Sequence, residues 1–199
     1  MQGHGRNRTG ALIVVVGPSG AGKDSVIAFA VRHLAGHEKP GVVRRVITRP
    51  RDAGGEDHEP STAEAFEARH AAGGFAVAWT AHGLKYGIPS EALERVRAGE
   101  ILIANGSRAA LGQFRQAFGA ITVVNITASA DVLARRLMSR GRESEAEILK
   151  RLQRQAPDLL DEPGVVTIDN SDPIEVAGRR LAALIVELRA AAGPATRSA

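Results

Sequence analysis

Hydrophobic positions along the chain fall into two rhythms. ALIVVV at 11–16, ILIAN at 101–105, ITVVNI at 121–126 and VVTI at 165–168 are short unbroken apolar runs, the pattern of strands buried on both faces. VVRRVIT at 42–48 is read as a further strand. Between the runs the spacing changes to that of helices. From Lys23 to about Ala35, Val26, Ile27, Ala30, Val31 and Leu34 recur on one face. STAEAFEARHAA at 61–72 follows a Ser or Thr cap, and a helix is expected over about 108–118. SADVLARRLMSRG opens on a cap at Ser129 and ends at Gly141, and SEAEILKRLQRQ at 144–155 is amphipathic and stops before Pro157. PIEVAGRRLAALIVELRAAA closes the pattern, with Pro173 near its first turn. Strands alternating with helices predict a three-layer α/β fold on a mainly parallel sheet with right-handed crossovers. One domain is expected over 11–188, with residues 1–10 and 189–199 as tails.

Composition narrows this picture. The 199 residues are enough for one sizeable core, and 44% hydrophobic with 24% charged residues reads as globular. No run approaches a membrane span, and the opening MQGHGRNRTG lacks the apolar centre of a signal peptide. Cysteine is absent, which removes disulfides and thiolate metal sites and suits a cytoplasmic location. The formal net charge is +4, and the basic residues cluster: Arg44, Arg45, Arg49 and Arg51, then Arg135, Arg136, Arg140 and Arg142, then Lys150, Arg151 and Arg154. With 4% aromatic residues there is little to stack on bases, so small polyanions are favoured over nucleic acid.

GPSGAGKDS at 17–25 supplies the chemistry. Gly17, four residues, then Gly22 and Lys23 match G-x-x-x-x-G-K between a strand-like and a helix-like run. Gly17, Pro18, Ser19, Gly20, Ala21, Gly22, Lys23, Asp24 and Ser25 are therefore assigned to a donor-phosphate cradle. Glycines let backbone N–H groups turn inward, the helix start adds partial positive charge, and Lys23 bridges the β- and γ-phosphates. The pattern then wants Ser or Thr, and this chain has Asp24. A carboxylate beside a triphosphate is repelled by about 4 kcal/mol at 4 Å and an effective dielectric near 20 unless a cation intervenes. Asp24 is accordingly expected to anchor Mg²⁺, directly or through water; a helix-N-terminal carboxylate with a purely structural role is the competing reading.

These residues resemble guanylate kinase and its relatives over about 11–188. The likeness extends through TRPR at 48–51, GGEDH at 54–58, Phe66, Phe75, HGLKYG at 82–87, RLMSRGRE at 136–143 and Asn170. It implies a guanylate-kinase-like P-loop fold with an acceptor-binding region at about 44–90 and an Arg-rich lid at about 138–155. The chain departs where the family reads guanine: Val77 and Ile88 replace polar base-reading residues, and His58 replaces a phosphate-holding Tyr. Taken with the W.AHGL.YG stretch from Trp79 and NGSR at 105–108, the departures are similar to the ribose 1,5-bisphosphate phosphokinases of phosphonate catabolism. Their reaction uses ATP to convert ribose 1,5-bisphosphate into 5-phosphoribosyl 1-diphosphate and ADP.

The resemblance implies roles for single residues. Arg49, Arg51, His58, Tyr86, Asn105, Ser107 and Arg108 are expected at the acceptor; Arg136 and Asn170 join the ATP site; Arg140, Arg142 and Arg151 neutralise charge on the transferred phosphoryl group. For Arg49 and Arg51 a solvated loop is the competing reading, for His58 a surface position, and for Tyr86 packing alone. ATP and Mg²⁺ are the expected cofactors, a phosphorylated sugar the partner, and self-association as a homodimer is left open. Two other functions remain: a guanylate or other nucleoside monophosphate kinase, and a non-catalytic guanylate-kinase-like interaction module.

Overall fold

The computed structural model describes residues 10–50, 56–139 and 164–192. In chain order the strands are β1 (Ala11–Val16), β2 (Gly41–Val42), β3 (Val46–Ile47), β4 (Glu59–Pro60), β5 (Phe75–Ala81), β6 (Leu84–Pro89), β7 (Ile101–Asn105), β8 (Ile121–Thr127) and β9 (Val165–Asp169). The helices are α1 (Lys23–His33), α2 (Ala63–Ala71), α3 (Glu91–Arg97), α4 (Leu111–Phe118), α5 (Ala130–Met138) and α6 (Ile174–Ala191). The helix expected at 144–155 lies outside the described residues, as do Gly141 and Pro157.

The large sheet has the order β2-β7-β1-β8-β9, and each neighbouring pair is parallel. β1 sits at its centre and feeds two cores. Ile13 and Val15 face a cluster containing Val26, Ile27, Leu133, Leu181 and Ile185, from α1, α5 and α6. Leu12, Val14 and Val16 face the other, with Val77, Ile88, Ala92 and Phe114. Both faces are covered by apolar side chains, which is why the run carries no polar position. The expected caps are present. Thr62 Oγ1 accepts from Ala65 N at 3.1 Å, and Ser129 Oγ from Val132 N at 3.4 Å.

A second sheet, ordered β4-β3-β6-β5, was not anticipated from the hydrophobic pattern. β5 and β6 form an antiparallel hairpin, β6 pairs antiparallel with β3, and β3 pairs parallel with β4. The hairpin turns on His82 and Gly83 (φ 52° and 73°), the positive angles that a tight two-residue turn demands. VVRRVIT is not one strand: β2 joins the large sheet, β3 the small one, and Arg44 and Arg45 occupy the crossing. The small sheet and α2 fall within the 44–90 segment.

α1 and α6 pack closely because Gly178 has no side chain. A Cβ there would lie 2.1 Å from Phe29 Cδ1. Gly178→Ala gains about 1 kcal/mol of helix propensity and loses about 1–3 kcal/mol to overpacking. We expect net destabilisation of up to about 2 kcal/mol, read as a lower urea midpoint; a raised midpoint refutes it.

Candidate active site

The parallel strands end at one edge, and that edge is polar. The loop 17–22 follows β1, Asn105 ends β7, Asn125 lies near the end of β8, and Asn170 follows β9. The three asparagines are buried, at 7%, 0% and 2% exposure. Each has a buried side-chain atom without a hydrogen bond among the described residues: Asn105 Oδ1, Asn125 Nδ2 and Asn170 Oδ1. Interiors rarely leave such groups unpaired, and ligands of parallel α/β sheets bind outside this edge.

The loop owes its shape to close approaches. Gly17, Gly20 and Gly22 have φ of 145°, 89° and 84°. A Cβ on Gly17 would stand 2.1 Å from the Ile126 carbonyl oxygen, and one on Gly22 would stand 2.6 Å from Asn170 Nδ2. Only glycine satisfies both the angle and the space. Asn170 Nδ2 also donates to the Ala21 carbonyl at 2.7 Å, tying the loop to the end of β9. Ala21 N donates to the Pro18 carbonyl at 3.3 Å, while Ser25 is exposed on the first turn of α1.

Lys23 Nζ donates to the carbonyls of Gly17 (3.0 Å) and Pro18 (3.1 Å). Burial pushes its pKa from 10.5 down to about 8; Asp24 and Glu56 oppose the fall, and Arg45 and Arg108 add to it. Asp24 is exposed, and Asn105 Nδ2 donates to its Oδ1. Asn105 was expected to face the acceptor; here its amide nitrogen holds the Asp24 carboxylate. No group of three or more His, Cys, Asp or Glu able to cage a metal occurs among the described residues. One carboxylate at the phosphate cradle nevertheless suits Mg²⁺, which takes few protein ligands and completes its octahedron with water and phosphate oxygens.

The other predicted residues take distinct places. Arg49 follows β3, with Nη2 3.4 Å from His58 Nδ1. His58 is not a surface residue: it is 2% exposed, with Nε2 3.0 Å from the Arg49 carbonyl and Nδ1 3.0 Å from the Glu56 carbonyl. Tyr86 is half-buried and stacks on Trp79, centroids 5.3 Å apart and planes 8° apart. Arg108 Nη2 donates to Asn125 Oδ1 at 3.2 Å, and Ser107 precedes the short 3-10 turn at 108–110 without capping it through its side chain. Arg136, on α5, has its Nη1 3.8 Å from where a Gly22 Cβ would stand. Val77 and Ile88 are a registered β5–β6 pair, sealed at 2% and 0% exposure. Both belong to the apolar cluster around Leu12, Val14 and Phe114. Arg51, Arg140, Arg142 and Arg151 lie outside the described residues.

The pattern reading missed one buried pair. Arg45, 7% exposed, donates through Nε and Nη2 to the two carboxylate oxygens of Glu56, the first at 3.0 Å. Its guanidinium lies over the rings of Tyr86 (5.2 Å) and Trp79 (5.8 Å). The signal was an Arg pair interrupting the apolar run VVRRVI.

A glycine loop between a buried strand and a helix, its lysine at the helix start, and a polar carboxyl edge define a P-loop kinase. The family model for guanylate kinase matches residues 9–186. Ribose 1,5-bisphosphate phosphokinase PhnN of Agrobacterium fabrum is 51% identical over 85% of this chain and 93% of its own. The protein of the same name from Rhizobium etli is 48% identical over 88% of this chain and 89% of its own. The chain belongs to the guanylate kinase family, on the branch that holds these phosphokinases. Among solved structures, guanylate kinase from Anaplasma phagocytophilum superposes with TM-score 0.62 at 20% identity, over 94% of this chain and 88% of that one, a likeness of fold.

The lowered Lys23 pKa sets a pH dependence. Triphosphate binds the ammonium form, so affinity should be level below the pKa of about 8 and weaken above it. The limit is about tenfold per pH unit. Calorimetric titration with ATP across this range should show the fall, and Lys23→Met should bind weakly with that component gone. A wild-type affinity flat to pH 10 contradicts it.

Proposed function

We propose that this kinase transfers the γ-phosphoryl group of ATP to the 1-phosphate of ribose 1,5-bisphosphate, giving 5-phosphoribosyl 1-diphosphate and ADP. The likeness to the two ribose 1,5-bisphosphate phosphokinases carries the reading. The site is consistent with it: cations are retained around the loop, while Val77 and Ile88 leave nothing polar for a guanine edge. A site lacking those partners rejects a base that needs them by several kcal/mol.

The chemistry needs no general base. A phosphate monoester is largely dianionic at pH 7, since its second pKa is about 6. An oxygen of the 1-phosphate attacks the γ-phosphorus; that P–O bond forms as the bond to the β-bridging oxygen breaks, and the electron pair leaves on ADP. Catalysis is positioning and charge stabilisation. Lys23 exchanges the Gly17 and Pro18 carbonyls for phosphate oxygens, and loop N–H groups complete the cradle. Arg49, steadied by His58, takes the acceptor phosphate, a role that Arg51 shares. Tyr86, Ser107 and Arg108 border the same acceptor region. Arg136 and Asn170 flank the nucleotide, and Arg140, Arg142 and Arg151 close on the transferring group. Asp24, oriented by Asn105, would hold Mg²⁺, which would supply neutralisation of the phosphate charge when bound. The described helices contain none long and apolar enough to cross a membrane, and we place the enzyme in the cytoplasm with its substrates.

Incubation with ATP, Mg²⁺ and ribose 1,5-bisphosphate should produce new diphosphate signals in phosphorus NMR, while GMP should leave ATP unconsumed. Efficient GMP phosphorylation with the sugar inert overturns the reading. Asp24→Ala should raise the Mg²⁺ concentration for half-maximal rate by about tenfold or more and lower kcat, with Asn105→Ala a milder version. Asp24→Ser should restore part of both. A variant with normal rate and Mg²⁺ dependence but lower stability would make Asp24 a helix-terminal carboxylate only.

A further inference from the structure

The acceptor reading leaves one requirement unmet by Arg49. Ribose 1,5-bisphosphate carries phosphates at both ends of its ring, and an arginine that holds the reacting one cannot also hold the other. A nucleoside monophosphate kinase has no such need.

Arg45, just before β3, adds a cation to those already proposed at the acceptor, Arg49, Arg51 and Arg108. Val77 with Ile88 and Trp79 with Tyr86 are alternate registered pairs of one β5–β6 ladder, so they share a face. Next to the sealed Val77–Ile88 wall stands Arg45, over the Trp79 and Tyr86 rings. Its neighbour Arg44 behaves as an ordinary surface residue. Arg44 and its partner Asp57 have side chains 46% and 84% exposed, against 8% and 14% for Arg45 and Glu56. An ion pair this buried adds little to stability compared with apolar residues of the same size, so stability is a poor reason for its presence.

The guanidinium keeps donors for a ligand. Glu56 accepts from Nε and Nη2 side-on, and no hydrogen bond donated by Nη1 is found among the described residues. The end-on fork of Nη1 and Nη2 is the edge that grips phosphate bidentately. The rings hold the cation by its face, and Glu56 holds it by one side.

Resting on the reaction proposed above, we propose that Arg45 is a specificity-determining residue that anchors the acceptor's second phosphate, the 5-phosphate that the reaction leaves unchanged. Glu56 orients the fork and balances its charge.

The test compares kcat/KM for ribose 1,5-bisphosphate with that for ribose 1-phosphate, which lacks the 5-phosphate. A charge-assisted contact corresponds to about 10- to 100-fold in this ratio. Arg45→Gln should reduce the wild-type preference for the bisphosphate by that factor. Because it leaves Glu56 unpaired, the Arg45→Gln/Glu56→Gln double variant, which removes both charges together, should do the same. Glu56→Gln alone, which loosens the fork but leaves Arg45 in place, should lose less of the preference than Arg45→Gln. Equal losses on both acceptors in the double variant, with ATP affinity and melting temperature retained, overturn the proposal; so does a preference that survives without Arg45. Failure of the underlying reading looks different: the wild type then makes no diphosphate from the bisphosphate.

Discussion

The loop between Val16 and Lys23 can exist only because nothing stands between its backbone and the Ile126 carbonyl. A single methyl group on Gly17 would lie 2.1 Å from that oxygen. The same contact principle recurs around the loop: Gly20 faces Leu137 of α5, and Gly22 faces the Asn170 amide. Three missing side chains therefore seat the loop against β8, α5 and the end of β9 at once. The placement of Lys23 and Asp24, and through Asp24 that of Asn105, follows from it.

Two separate sheets divide the work. The parallel one presents the nucleotide cradle at its carboxyl edge, where the helix start and the loop amides converge. The mixed one carries Trp79 and Tyr86, and over their rings stands Arg45 with its partner Glu56. Among the described residues the two share no strand pairing and meet through side chains such as Val77, Ile88 and Phe114 in one apolar cluster. Electrostatics joins them again, since the Lys23 ammonium lies in the fields of Arg45 and Glu56.

Four strands of the large sheet, β1, β7, β8 and β9, were legible from unbroken apolar runs, and ILIAN at 101–105 is β7 residue for residue; the two-residue β2 was not. The caps at Thr62 and Ser129 were legible because a side-chain oxygen has one obvious use there. The small sheet was not. β3 and β4 are two residues each, too short for any period, and LKYGIP carries a Gly and a Pro that speak against a strand. Its turn also hides, because His82 occupies a left-handed position where Asn is the usual sign. The glycine loop was plain from spacing alone. What spacing could not show is that Asn105 reaches Asp24 across 81 residues, or that of two adjacent arginines one is sunk in the protein and the other in water.

The absence of shared strand pairing has a consequence for how such a kinase changes its substrate over time. Backbone hydrogen bonds are unforgiving of register, whereas a side-chain interface tolerates swaps that conserve volume. Substitutions within the small sheet can accumulate while the nucleotide cradle stays as it is, provided Val77, Ile88 and Trp79 still fill their space against Phe114. On the proposed reaction, the acceptor half is then an exchangeable part, and a lineage can explore new phosphorylated substrates without risking its grip on ATP.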